Sequence, residues 1–181
     1  ILDEYLKGSV ARVSPEAPVP VLKPAHRDLR LGGASNVAVN VKSLGSRVEL
    51  IGVTGKDTTG RELKDLLKNK SIKSSLVLSN KMSVSKTRLL AGQQQLLRLD
   101  VEESFTKEEW LSTKKLFSNK LKNFNAVILS DYGKGTLLDI PFLIKESKKR
   151  EIPVFIDPKG NNFKKYKGAY IITPNLQEFS V

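Results

Sequence analysis

Ala126-Val127-Ile128-Leu129, Pro153-Val154-Phe155-Ile156 and Tyr170-Ile171-Ile172 decide the fold of this chain. Each is a short, unbroken apolar run. A strand with one wet face alternates apolar and polar residues; an unbroken run has no wet face, the pattern of a parallel strand covered on both sides. A helix-like stretch near residues 138–150 separates the first two runs. The expectation is an α/β fold: a doubly wound, mostly parallel sheet.

Outward from these runs the alternation of helix and strand continues. Residues 34–44 read as a short helix with Val37, Val41 and Leu44 on one face, and residues 47–53 as a strand. Residues 52–60 read as a loop, and residues 61–69 as a helix buried through Leu63, Leu66 and Leu67. Thr106 with Glu109 has the spacing of a capping box. It opens a helix with an apolar seam of Trp110, Phe117, Leu121 and Phe124, so Trp110 is a core residue. His26 falls in a polar stretch, Ala25-His26-Arg27-Asp28, that reads as a surface loop. Two segments stand apart from the main sheet, residues 7–22 and 84–100. Both are extended and alternating, like hairpin arms of a small second sheet that acts as a lid or a dimer contact.

The length of 181 residues suits one domain, and no low-complexity tract or repeat interrupts it. There is no cysteine, so disulfides and thiolate metal sites are excluded and a reducing cytoplasm is permitted. No apolar run approaches the roughly 20 residues of a membrane-spanning helix, and no signal peptide is visible. The formal net charge of +12 favours anionic partners, among them phosphorylated metabolites and nucleotides. The lysines are scattered over helix surfaces without interleaved aromatics, which argues against nucleic acid.

Open α/β sheets collect ligands at the carboxyl ends of their strands. Asp157-Pro158-Lys159-Gly160 and Thr173-Pro174-Asn175-Leu176-Gln177-Glu178 both fall there, as does Ser130-Asp131-Tyr132-Gly133-Lys134-Gly135. Lys159 is placed where an ammonium meets a phosphate. Asn175 and Glu178 have the spacing of a reciprocal helix cap, while a carboxylate beside a helix start also suits hydrated magnesium. Asp131 reads equally as a turn residue capping the next helix. Gly32-Gly33-Ala34-Ser35-Asn36 opens a helix through two glycines that allow close ligand approach, or is simply a flexible turn. Neither a dinucleotide fingerprint nor a P-loop is present.

In order and spacing, these runs closely resemble one family. The carriers are Leu2-Asp3, Ser14-Pro15-Glu16-Ala17-Pro18-Val19-Pro20-Val21, Gly32-Gly33-Ala34-Ser35-Asn36-Val37-Ala38, Lys86-Thr87-Arg88, Gln94-Gln95-Leu96-Leu97-Arg98-Leu99-Asp100, Leu129-Ser130-Asp131-Tyr132-Gly133-Lys134-Gly135 and Thr173-Pro174-Asn175-Leu176-Gln177-Glu178. The family is that of D-glycero-β-D-manno-heptose 7-phosphate kinase domains, within the ribokinase superfamily of PfkB-type carbohydrate kinases. The Ser-Pro-Glu-Ala-Pro-Val-Pro stretch is specific to the heptose branch; Gly-Gly and Asn-x-x-Glu are shared across the superfamily.

The resemblance implies a cytoplasmic enzyme of lipopolysaccharide-core synthesis that phosphorylates O1 of a heptose 7-phosphate with ATP and Mg2+. It implies that Asp3, Gly32, Gly33 and Asn36 hold sugar hydroxyls. Asn175, Leu176, Gln177 and Glu178 border the ATP phosphates, Glu178 faces the metal and Lys159 assists. Lys86 and Arg88 are assigned to the 7-phosphate on charge alone. A homodimer through the lid strands is implied as well. The family's catalytic Asp lies in a Gly-Ala-Gly-Asp motif that does not occur here, and the family's first strand is also absent. A partial domain, truncated at both ends and inactive alone, is therefore expected. Three other readings stay open: a non-catalytic remnant that dimerises with or regulates a related kinase, another PfkB-type sugar kinase, and a basic nucleic-acid binder.

Overall fold

The computed structural model describes residues 1–179. It opens on a long antiparallel hairpin of β1 (Leu2–Val13) and β2 (Pro20–Leu31). The chain continues through α1 (Ala34–Ser43), β3 (Glu49–Gly55), α2 (Thr58–Asn69) and β4 (Lys73–Ser79). A second hairpin, β5 (Ser85–Ala91) and β6 (Gln94–Val101), leads to α3 (Lys107–Lys120). Then come β7 (Val127–Ser130), α4 (Ile140–Lys148), β8 (Val154–Asp157), β9 (Ile171–Ile172) and the short α5 (Leu176–Phe179).

The strands form three hydrogen-bonded groups. The two hairpins join through parallel pairing of β1 with β5, giving a four-stranded sheet in the order β2-β1-β5-β6. Residues 7–22 and 84–100 both belong to it. β3 and β4 form a parallel pair, and β7, β8 and β9 a parallel trio. The four residues of β7 and of β8, three apolar and one polar in each, pair residue for residue, Val127 with Val154 through Ser130 with Asp157.

Three sequence expectations need correction. His26 is exposed, but it lies in β2 opposite Lys7 and not in a loop. Its neighbourhood has no apolar alternation; pairing with β1 imposes the strand, and Arg27 finds Glu4 at 2.5 Å and Glu62 at 2.6 Å. The loop expected over residues 52–60 is shorter, because β3 runs to Gly55 and α2 starts at Thr58, where Asp57 caps the Gly60 N–H at 2.8 Å. β4, for which the sequence offered no strand, pairs in register along the whole of β3.

Two cores hold these layers. One gathers Trp110, Phe117 and Leu121 from the α3 side, Leu143 and Ile144 from α4, and Leu129, Val154 and Ile156 from the sheet. Trp110 is thus core, as the seam implies. The other packs Leu2 and Ala38 against Leu63, Leu67 and Ile72. The capping box forms: Glu109 accepts from the Thr106 N–H at 2.7 Å and from its hydroxyl. Ser79 also donates to Glu109, and these bonds pull its carboxyl down to about 2.

Both faces of the parallel trio were expected to be covered. Among the described residues α3 and α4 cover only one. The opposite face carries Ile128, Phe155 and Ile171 in one register row, with Ile128 and Ile171 exposed and Tyr170 packed edge-on to Phe155 at 5.5 Å. No helix among the described residues is long and apolar enough to cross a membrane.

Candidate functional site

Parallel pairing puts the carboxyl ends of β7, β8 and β9 on one edge, and the chain leaves that edge three times. It departs as Asp131-Tyr132-Gly133, as Pro158-Lys159-Gly160, and as Thr173 through Glu178. The first two exits are tied together. The Asp131 N–H donates to the Asp157 carbonyl at 2.9 Å, extending the ladder by one bond. The buried Asp131 carboxylate accepts from the Tyr166 hydroxyl and the Lys165 ammonium, each at 2.7 Å, and from the Gly133 N–H at 3.0 Å. Burial opposes ionisation of Asp131, but these three donors outweigh it and hold its carboxyl below the ordinary aspartate value. Asp131 therefore does not cap the next helix; Asp139 does, accepting from Phe142 N–H at 3.0 Å.

Asp157 sits one strand away with the opposite electrostatics. Burial and the nearby Glu178 carboxylate raise its pKa, and the Tyr132 hydroxyl, 3.5 Å away, only partly compensates. Glu178 and Asn175 make the reciprocal cap that their spacing suggested. The Asn175 N–H donates to Glu178 at 3.0 Å and the Glu178 N–H donates to the Asn175 side chain at 2.9 Å. Leu176 and Gln177 are exposed beside them. Lys159 is exposed, and among the described residues it makes no ion pair.

The second half of the site grows from the start of β1. Leu2 pairs with Leu31, which brings Asp3 against the turn that follows β2. The approach is so close that a Cβ on Gly32 would lie 2.1 Å from Asp3 Oδ2. Gly33 has φ 54°, a left-handed value that glycine adopts without strain, and it opens α1. Asn36 stands exposed in the first turn of that helix. On the four-stranded sheet, Arg88 donates to Asp3 at 2.7 Å, and Lys86 pairs with Asp100 at 2.6 Å. Tyr5 is flanked by the Arg30 and Arg88 guanidinium groups, 4.6 and 5.0 Å from its ring centre.

Tyr132 joins the halves. Its ring lies 3.4 Å from the position a Cβ would take on Gly33, and its hydroxyl faces Asp157. The rim thus runs from Asp3 through Gly32, Gly33 and Tyr132 to Asp157 and Glu178. Lys159 flanks it, its Cγ 3.9 Å from where a Cβ would stand on Gly133. A cleft of about 90 Å3 behind this rim is lined by Ile1, Ser35, Thr54, Phe105 and Tyr132, among others. Residues that sequence reasoning did not assign to the site are Tyr132, Asp157 and Tyr166. The first two lay inside runs already singled out at strand ends; Tyr166 carried no local signal.

Asp157 and Glu178 are hard oxygen donors set close enough to repel, which fits a magnesium ion that keeps several waters. No group of three or more metal-ligating side chains occurs among the described residues.

Comparison with known proteins gives the family and the fold. Residues 5–181 match the model of the pfkB family carbohydrate kinases. The chain is 45% identical over 180 residues to the bifunctional protein HldE of Haemophilus influenzae, and 41% identical over 181 residues to that of Hydrogenovibrio crunogenus. It is covered at 99% and 100% respectively, and spans 38% of the length of each relative. Among solved structures, a phosphofructokinase from Staphylococcus aureus superposes with TM-score 0.74 at 15% identity, over 96% of this chain and 56% of that one. Phosphofructokinase-2 from Escherichia coli in complex with fructose-6-phosphate gives TM-score 0.73 at 18% identity, over 98% and 59%. Since that family model spans residues 5–181, nearly the whole sequence, this chain belongs to the pfkB family of carbohydrate kinases.

Proposed function

We propose that this chain carries the sugar-binding half and part of the nucleotide-binding half of a kinase that phosphorylates O1 of a heptose 7-phosphate. The observation that carries this reading is the continuous rim from Asp3 to Glu178, joined by Tyr132, with cations on the lid at one end and two repelling carboxylates at the other. Asp3 and Asn36, with the backbone of Gly32 and Gly33, orient the sugar hydroxyls. Lys86 and Arg88 take the sugar phosphate by exchanging their present carboxylate partners for it. Asn175, Leu176, Gln177 and Glu178 border the nucleotide phosphates, and Asp157 and Glu178 hold magnesium. ATP with magnesium, when bound, supplies the phosphoryl group. Lys159 offsets the charge of that group as it moves, the kind of fixed electrostatic contribution on which phosphoryl transfer depends. The 45% identity to HldE, together with the Ser14-to-Pro20 stretch, supports a heptose over other sugars.

The chain spans 38% of the length of the relatives it matches, so the test reads binding and not turnover. Calorimetry of the chain with heptose 7-phosphate is expected to give saturable heat that is lost in D3N, with fructose 6-phosphate binding at least about tenfold more weakly. Equal affinity for the two sugars would point to a different sugar kinase, and no heat at millimolar ligand would leave a non-catalytic remnant. The exposed Leu97 and Leu99 on one face of β6, with Val13 and Val19 at the tip of the first hairpin, favour a homodimer through the lid. L97E/L99E is expected to convert that dimer to monomer in light scattering coupled to size exclusion; a wild-type monomer refutes it.

A further inference from the structure

The buried cluster at Asp131 is more elaborate than a turn requires. Tyr166 is 3% exposed and Asp131 6%, yet their hydrogen bond uses the Tyr166 hydroxyl as donor only. The same hydroxyl accepts from the Lys159 N–H at 2.9 Å. Asp131 meanwhile takes the Gly133 N–H, and Gly133 is the residue the Lys159 side chain passes over. One carboxylate therefore fixes two backbone segments, the turn that carries Lys159 and the floor beneath its side chain. Lys165 neutralises that carboxylate at 2.7 Å, on Oδ2, the oxygen that Tyr166 also binds. The turn needs an external anchor. Gly160 follows at φ 73° with open space around it, and residues 158–162 form neither helix nor strand.

Resting on the reading of Lys159 as a ligand of the nucleotide phosphates, we propose that Asp131 and Tyr166 are positioning residues. Through the Lys159 N–H they aim its ammonium at the phosphoryl groups held beside Asp157 and Glu178. A flexible four-carbon side chain loses most of its value as a phosphate ligand when its own backbone is free to rotate, because the ordering cost then falls on binding. The chain Asp131–Tyr166–Lys159 meets that cost during folding.

The test is a double-mutant cycle on the full chain, read by calorimetry with magnesium and a non-hydrolysable ATP analogue, and separately with heptose 7-phosphate. Tyr166→Phe removes one oxygen and leaves the ring in its core. It is expected to weaken the nucleotide analogue about tenfold, as is Lys159→Ala, while sugar-phosphate affinity stays unchanged. Tyr166→Phe/Lys159→Ala is expected to bind the analogue no more weakly than Lys159→Ala alone. Additive losses, or an unchanged affinity in Tyr166→Phe, overturn the proposal; an equal loss of both ligands does the same by showing a general packing defect. If Tyr166→Phe does not fold, Asp131→Asn is read in the same cycle. A wild-type chain that binds sugar phosphate but no analogue overturns the nucleotide reading itself, an outcome distinct from additivity.

Discussion

The two ends of the rim are built on opposite electrostatic plans. On the four-stranded sheet the charges nearest the rim already have partners: Asp3 with Arg88, Lys86 with Asp100, Arg30 with Asp28. On the sheet side burial and the nearby Glu178 carboxylate raise the Asp157 pKa, and Lys159 stands exposed beside them without an ion pair among the described residues. A neutralised, pre-paired surface exchanges one partner for another at little cost, which suits a reversible sugar phosphate. A surface with uncompensated carboxylates is destabilised until a cation arrives, which suits a metal–nucleotide complex. A second contrast lies within the sheet side itself, between Asp131 and Asp157, whose strands are paired and whose pKa values move in opposite directions.

The comparison breaks most visibly at Gly32. A Cβ there would meet Asp3 Oδ2 at 2.1 Å, and the flexible carboxylate must swing away. On the proposed reading, G32A is expected to lower sugar-phosphate affinity by more than about tenfold in calorimetry while leaving nucleotide binding intact, since only the Asp3 end of the rim loses its geometry. R88A comes next: it strips Asp3 of its partner and removes a cation, and about a tenfold loss for the phosphorylated sugar is expected, with a smaller loss for unphosphorylated heptose. On the sheet side the effect reverses sign. D157N removes a repelled carboxylate and is expected to raise the melting temperature of the ligand-free chain by on the order of 2 °C. Added magnesium with the nucleotide analogue should stabilise the wild type and not D157N.

The smallest effect is in the pH dependence of stability. Asp131 has a lowered folded pKa, so the stability it confers is present above the ordinary aspartate value and lost as pH falls through its depressed one. Asp157 has a raised folded pKa, so its ionisation costs stability above the ordinary value, and the cost is relieved as pH falls through the raised one. Urea denaturation across the acid range should accordingly show a steeper acid loss for D157N than for wild type, and a shallower one for D131N. Parallel curves for all three would remove the electrostatic contrast.

Much of the fold is legible in the sequence. Unbroken apolar runs located β7, β8 and β9 because a strand buried between layers has no need of polar residues, although here one face of that trio carries Ile128 and Ile171 exposed. The Thr106–Glu109 box and the Asn175–Glu178 cap were readable because their partners are three residues apart. What escaped has long-range causes. β2 extends through Lys23-Pro24-Ala25-His26-Arg27-Asp28, a stretch with no strand pattern, only because β1 lies beside it. Tyr132 and Tyr166 enter the site through partners 25 and 35 residues away, and no local rule announces such a bond. The Asp3–Gly32 contact was half visible: two glycines signal a close approach but do not name the atom that approaches.

The parallel seam between β1 and β5 has a bearing on how the molecule assembles. Each hairpin can zip locally, but Glu4 and Thr87, bonded across the seam at 2.7 Å, are 83 positions apart in the chain. Joining them requires that α1, β3, α2 and β4 already be compact, since otherwise the entropy of closing so long a loop opposes the pairing. The part of the rim with Asp3 on one side of the seam and Arg88 on the other is therefore expected to form last. Pulse-labelled hydrogen exchange during refolding is expected to protect seam amides of β1 and β5 after those of β3 and β4; simultaneous protection would place the seam in the folding nucleus instead.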